Sequence, residues 1–224
     1  AIDDELDDSW GGKRIGAGAV HSTNTGAGVN VAVIDTGIDY THTDLDGNYK
    51  SGYDFVNNDA DPKDDNGHGT HCAGTIAAED DGYGVVGVAP EASLYALKVL
   101  DSDGSGYFSD VIAALDWAID NGIQVTSNSY GSSRDPGTTV QDAFDNAASA
   151  GIINVCAAGN SGRWNGKGDN VEYPARYDSC IAVAATDSSD NRAYFSSTGP
   201  DVELAAPGVN IYSTLLGGGY GYKS

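Results

Sequence analysis

The sequence predicts an α/β fold of three layers, a mainly parallel sheet with helices on both faces. Two observations predict it. Short apolar runs, several rich in β-branched residues, alternate along the chain with segments of helical period, the pattern of strands whose sheet is covered on both sides. Polar residues follow directly on several of those runs, notably Asp35, Ser129 and Asn160. In a parallel sheet such residues gather on the carboxyl edge, where ligands bind. A chain of 224 residues buries a real core without help from a metal or disulfide, so one domain over residues 1–224 is expected.

After an acidic start, residues 9–24 read as a helical approach, closed by a glycine turn at Gly26 and Gly28. His21 within it reads as structural. Residues 29–34 form a strand that delivers Asp35, and a polar loop over residues 40–65 follows. A helix over 68–78 leads through an acidic, glycine-rich loop to a strand at 93–100. Next comes a helix at 107–121, whose Val111, Leu115, Ala118 and Ile119 recur on one face and so pack on the sheet. Gly122 ends it. A strand at 124–129, a helix at 139–150 and strands at 152–157 and 181–185 complete the alternation, and the glycine-rich tail from Gly217 reads as a loop. The stretch from Gly82 to Gly87 fits a dinucleotide-binding glycine pattern, but it follows a helix and opens none, so it is set aside.

Composition narrows the function. The formal charge of −22 excludes nucleic acid as a partner and repels anionic membranes, both of which need basic patches. Nothing reaches about 18 consecutive apolar residues, and the first residues lack the basic and apolar regions of a signal peptide. The acids are spread along the whole chain, as on a solvated acidic surface. Such a surface repels itself until salt shortens the Debye length to about 3 Å at molar strength, so a high-salt environment is expected, with calcium binding as a competing use of the acids. Three cysteines cannot all pair within one chain. Cys72 reads as a small buried residue; Cys156 and Cys180 lie in strand-like runs and would pair only if geometry allows.

The chemistry centres on Asp65-Asn66-Gly67-His68-Gly69-Thr70-His71-Cys72-Ala73-Gly74. Gly67 and Gly69 clear space around His68, which suits a ring that projects into a cleft and exchanges protons near neutrality. Asp35 ends a buried run, where a carboxylate is costly unless paired. Its most useful partner is a histidine whose tautomer it fixes. Asn160 follows another apolar run, and its amide can donate to a developing oxyanion. The alternatives are ordinary: His68 as a helix cap, Asp35 as a turn cap, or a metal hydrolase built on Asp35, Asp39, His68 and His71.

Taken together, VAVIDTGID, NGHGTHCAGTIAA and CAAGNSG, in this order and spacing, resemble the subtilisin-like serine proteases, with the acidic halolysin-like and thermitase-like members nearest. The resemblance implies a secreted endopeptidase of subtilisin-like fold acting on proteins or peptides. It implies Asp35 and His68 as two triad members and Asn160 as oxyanion donor. It implies that Gly104, Ser105 and Gly106, with Ser129, Tyr130 and Gly131, form two edges that receive substrate as an added strand. Ala157, Ala158 and Gly159 would line the pocket for the side chain before the scissile bond. Glu172 falls near the floor of that pocket, where small or neutral residues are common in relatives. A tight calcium site is implied at Asp44 and Asp81 with the carbonyls of Glu79, Tyr83 and Val85, and Asp3 as a further ligand. A second would use Asp54, Asp59 and Asp61, and a third, weak cation site the carbonyls of Ala175 and Tyr177. A propeptide during maturation and a monomeric state are expected, with no cofactor for catalysis. The family pattern continues from a stretch like Gly217-Gly218-Gly219-Tyr220-Gly221-Tyr222-Lys223-Ser224 into GTSMA, whose serine is the nucleophile. Ser224 matches a position three residues earlier. The chain as written is therefore expected to be a nearly inactive part of a protease, its C-terminal portion missing; a catalytically inactive, subtilisin-like binding protein is the alternative.

Overall fold

β1 (Asn30–Asp35) is buried along almost its whole length and sits inside a seven-stranded sheet in the computed structural model, which describes residues 4–224. The other strands are β2 (Tyr49–Asp54), β3 (Ser93–Lys98), β4 (Val125–Asn128), β5 (Ile153–Ala157), β6 (Cys180–Thr186) and β7 (Val202–Pro207). Their order is β2-β3-β1-β4-β5-β6-β7, and every pairing is parallel. The helices are α1 (Trp10–Ile15), α2 (Ala17–His21), α3 (His68–Ala77), α4 (Phe108–Asp120) and α5 (Thr138–Ser149). A separate antiparallel hairpin, β8 (Ile211–Leu215) and β9 (Gly219–Lys223), packs by its first strand against α3.

The two-residue period of β1 makes the three layers. Ala32 and Ile34 face Val111, Ala114, Leu115 and Ala118 of α4 and Val140, Phe144 and Ala147 of α5. Val31 and Val33 face the opposite way, toward Ala73 and Ala77 of α3, with Ile38 and Leu45. Each large side chain so buried contributes about 1.5–3 kcal/mol relative to exposure. Because the strands are parallel, the residues after β1, β4 and β5 emerge on one edge.

Several elements differ from expectation. The loop at 40–65 contains β2, which pairs with β3 from Tyr49↔Leu94 to Asp54↔Lys98. The glycine tail contains β9, in register with β8 from Leu215↔Gly219 to Ile211↔Lys223. Glycines at 217 and 218, with φ of 73° and 79°, make the turn, and the Tyr212 and Tyr222 rings meet at 4.8 Å. β7 was not anticipated at all. The helical approach is broken at Gly16, in the left-handed region at φ 78°, which separates α1 from α2. His21 Nε2 lies 3.1 Å from the Val88 carbonyl. Residues 82–87 lie in the loop between α3 and β3 and open no helix. The three cysteines are free thiols; Cys156 and Cys180 sit on neighbouring strands without a disulfide between them, and burial pushes the Cys156 thiol up. Among the described residues, no helix is long and apolar enough to cross a membrane.

Candidate active site

β1 ends at Asp35, whose side chain is fully buried at the carboxyl edge. One of its oxygens accepts the Thr36 N–H at 2.7 Å. His68, the first residue of α3, points Nδ1 at both carboxylate oxygens, 2.7 Å from Oδ1 and 2.9 Å from Oδ2. The hydrogen bond to Asp35 raises the His68 pKa against the opposing effect of burial. Nδ1 is thereby fixed as the donor, and Nε2 is the ring nitrogen left for chemistry.

A network behind the pair holds it. The buried Asp64 carboxylate accepts from the Thr36 hydroxyl at 2.8 Å, from the N–H groups of Asn66, Gly67 and Thr70 at 2.9 Å each, and from the Thr70 hydroxyl at 2.6 Å. It thus satisfies the first turn of α3, whose own N-cap residue, Gly67, has no side chain. The Thr36 hydroxyl in turn accepts the Gly69 N–H at 2.9 Å. Gly69 has to lack a Cβ, because one would stand 2.2 Å from the Gly37 carbonyl oxygen and 3.2 Å from the Asp35 Cβ. Lys98, fully buried on β3 in register with Asp35, donates to the Thr36 and Leu100 carbonyls at 2.8 and 2.9 Å and pairs with Asp65 at 2.7 Å. Asp64, Thr36 and Lys98 were missed from sequence. The signal available was a lysine closing an otherwise apolar strand, costly unless all its donors are satisfied.

His68 lines a cleft of about 470 Å³. Gly104, Ser105, Gly106 and Tyr107 also line it, as do Ser129, Tyr130 and Gly131, with Leu100 and Val111. Both segments expected to receive substrate thus line the same cleft as His68. Ala157 closes β5, with buried Ala158 and then Gly159 after it. Asn160 follows, exposed, on the same carboxyl edge. Gly159 has φ of 105°, a backbone state that other residues rarely adopt.

The quartet proposed for a metal hydrolase does not gather. The ring of His71 turns away, with Nε2 2.9 Å from the Ile211 carbonyl on β8. Asp39 accepts from Thr41 and from the Gly217 N–H at 2.9 Å. Among the described residues, the group that converges is Asp35, His68 and Cys72, with ligand atoms within 4.8 Å. Burial pushes the Cys72 thiol far up, so it stays protonated and is a poor ligand.

The two calcium candidates differ. Asp44 is buried, its Oδ2 accepts the Val85 N–H at 3.1 Å, and its Oδ1 has no hydrogen-bond partner. Burial, with a contribution from the charge of Asp81, raises its pKa to about 6. An orphaned buried carboxylate oxygen beside a second acid fits a hard cation. At the other candidate the acids are occupied separately. Asp54 accepts from the Asn57 N–H and side-chain amide at 2.8 and 2.9 Å, Asp59 from the Asp61 N–H at 2.8 Å, and Asp61 from the Tyr40 hydroxyl at 2.6 Å. Asp54, Asp59 and Asp61 are not gathered into one cluster of side-chain ligand atoms among the described residues. The Tyr177 carbonyl accepts the Cys180 N–H at 2.9 Å. Asp3 lies outside the described residues.

A parallel sheet with a buried acid and an imidazole paired at its carboxyl edge, beside a cleft with small-residue walls, defines an α/β protein equipped for acid–base chemistry. The model of the subtilase family matches residues 26–224. The chain is 48% identical over 212 residues to Subtilisin BL of Lederbergia lenta, covering 94% of this chain and 76% of that protein. It is 50% identical over 214 residues to Subtilisin E of Bacillus subtilis (strain 168), covering 95% of this chain but 55% of that protein. The crystal structure of a cold adapted subtilisin-like serine proteinase superposes with a TM-score of 0.81 at 40% identity, over 90% of this chain and 71% of that one. The chain belongs to the subtilase family.

Proposed function

We propose that the intact protein is a secreted serine endopeptidase that cleaves peptide bonds by acyl transfer. The observation that carries it is the pairing of His68 Nδ1 with both oxygens of a fully buried Asp35, at 2.7 and 2.9 Å, on the wall of an open cleft. In this mechanism His68 Nε2 takes the proton of a serine hydroxyl as it attacks the substrate carbonyl, then gives it to the leaving amine. Asp35 holds the tautomer and stabilises the imidazolium. The Asn160 amide donates to the oxyanion of the tetrahedral intermediate. An extended peptide adds as a strand between residues 104–106 and 129–131, with residues 157–159 along the pocket beside it.

The nucleophile this mechanism requires is a serine hydroxyl, and Ser224 is not assigned that role. Ser224 is itself engaged, its hydroxyl accepting the Asn210 N–H at 2.8 Å. The charge of −22 supports an extracellular, high-salt setting, and the substrates are proteins or peptides, with a propeptide during maturation and a monomeric enzyme. Calcium would be held by Asp44, Asp81 and the carbonyls of Glu79, Tyr83 and Val85, where it neutralises buried acid and clamps the loop after α3. Chelation should lower Tm; an unchanged Tm removes the calcium.

The direct test is a serine-directed fluorophosphonate on the intact gene product. One label per molecule, abolished by His68→Ala, is expected. No labelling of the unaltered protein, with peptide binding retained, would leave a binding protein in place of a protease.

A further inference from the structure

Glu172 is half-buried, and its carboxyl group is wedged between two glycines from different segments. A Cβ on Gly131 would stand 2.4 Å from Glu172 Oε2, and one on Gly159 would stand 2.5 Å from Glu172 Cδ. The side chain therefore occupies the gap between the edge at 129–131 and the segment at 157–159. It is anchored there: the Glu172 N–H donates to the Ala158 carbonyl at 2.9 Å, and the Ser161 hydroxyl donates to Oε1. Among the described residues, Oε2 accepts no hydrogen bond and no lysine, arginine or histidine forms an ion pair with Glu172.

A carboxylate partly withdrawn from water without a counter-cation is costly, and a cation brought by a ligand removes that cost. A metal ion is poorly served, since no pair of further His, Cys, Asp or Glu side chains among the described residues converges on Glu172. An organic cation on a long, flexible stem fits better. Its methylenes can lie along exposed Gly131 and partly exposed Gly159 while its head reaches Oε2. With Oε1 already engaged by Ser161, a single-point ammonium is served at least as well as a two-pronged guanidinium.

We propose that Glu172, filling the gap between Gly131 and Gly159, makes the surface above it a receptor for a cationic side chain, so that the preferred substrates are peptides with lysine or arginine immediately before the cleaved bond. The inference rests on the acyl-transfer function proposed above. The same carboxylate repels acidic side chains at that position, and apolar ones gain nothing from Oε2.

The test uses the intact gene product and four peptides identical except for Lys, Arg, Phe or Glu before the scissile bond. At one fixed salt concentration, kcat/KM is measured for the unaltered enzyme and for Glu172→Gln. The Lys-to-Phe ratio should fall about 10- to 100-fold in the variant, the worth of one hydrogen bond to a charged group, while the Glu peptide improves. An unchanged ratio in two active enzymes overturns the proposal. If no peptide is cleaved, the acyl-transfer function falls separately. Fluorescence anisotropy with the same peptides then decides the pocket: tighter binding of the Lys peptide than of the Phe peptide, lost in Glu172→Gln, supports it, and equal affinities overturn it.

Discussion

His68 and His71 stand three residues apart on α3, and their surroundings drive them in opposite directions. At His68 the hydrogen bond that Nδ1 donates to Asp35 outweighs burial and raises the pKa, and the side chain stays 42% exposed toward the cleft. At His71 burial dominates and lowers the pKa, and Nε2 is spent on the Ile211 carbonyl at 2.9 Å. Both belong to the same helix and the same glycine-rich run. What separates them is the tertiary neighbour each ring meets: a carboxylate at the end of β1, or the backbone of β8. His71 belongs to a seam that also joins Ser213 and Thr214 hydroxyls to the carbonyls of His71 and Thr70, at 2.8 Å each. One histidine is paired with a carboxylate at the edge of the cleft, and the other holds a hairpin.

Substitutions in the intact protein can break that contrast. His68→Ala should lower kcat about a millionfold, a magnitude carried over from subtilisin itself and not obtained from this geometry, and should lower Tm as well because it leaves the buried Asp35 carboxylate without its imidazole. Asn160→Ala should lower kcat about 10²–10³-fold with KM nearly unchanged, again a value carried over from subtilisin. His71→Ala should leave kcat within a few-fold and lower stability by about 2–4 kcal/mol, through the cavity and the lost bond to Ile211. A crippled kcat in His71→Ala with normal denaturant unfolding would erase the distinction.

The contrast also fixes opposite pH dependences. Because the folded protein raises His68, its contribution to stability is full below about pH 6.5, the unfolded value, and is lost as pH rises through the folded one. His71 is lowered, so its contribution is full above about pH 6.5 and is lost as pH falls toward the folded value. Activity follows His68 alone, with an acid limb above about pH 6.5, since the base must be unprotonated.

Asp35 and His68 were legible in the sequence because a carboxylate closing an apolar run and a histidine between two glycines are each locally odd. The central strands were legible because both faces of β1 must be apolar. The edges were not. β2 reads Tyr-Lys-Ser-Gly-Tyr-Asp and β7 carries Glu203 with an exposed Leu204, because each pairs on one side only and need not be hydrophobic. β9 alternates glycine with tyrosine and depends on β8 for its hydrogen bonds. Composition does not show that the acids at 54, 59 and 61 also accept hydrogen bonds from donors in their own loop, which only the fold reveals. Asp64 and Lys98 escaped notice because their partners come from different elements, which only the fold brings together.

The most direct test of the paired carboxylate and imidazole needs no catalysis: an NMR titration of the histidine rings in residues 1–224, repeated in Asp35→Asn. His68 should titrate above about 6.5 and His71 below it, with His68 alone falling back in the variant. A His68 that titrates at or below the unperturbed value, or one indifferent to Asp35→Asn, would contradict the account.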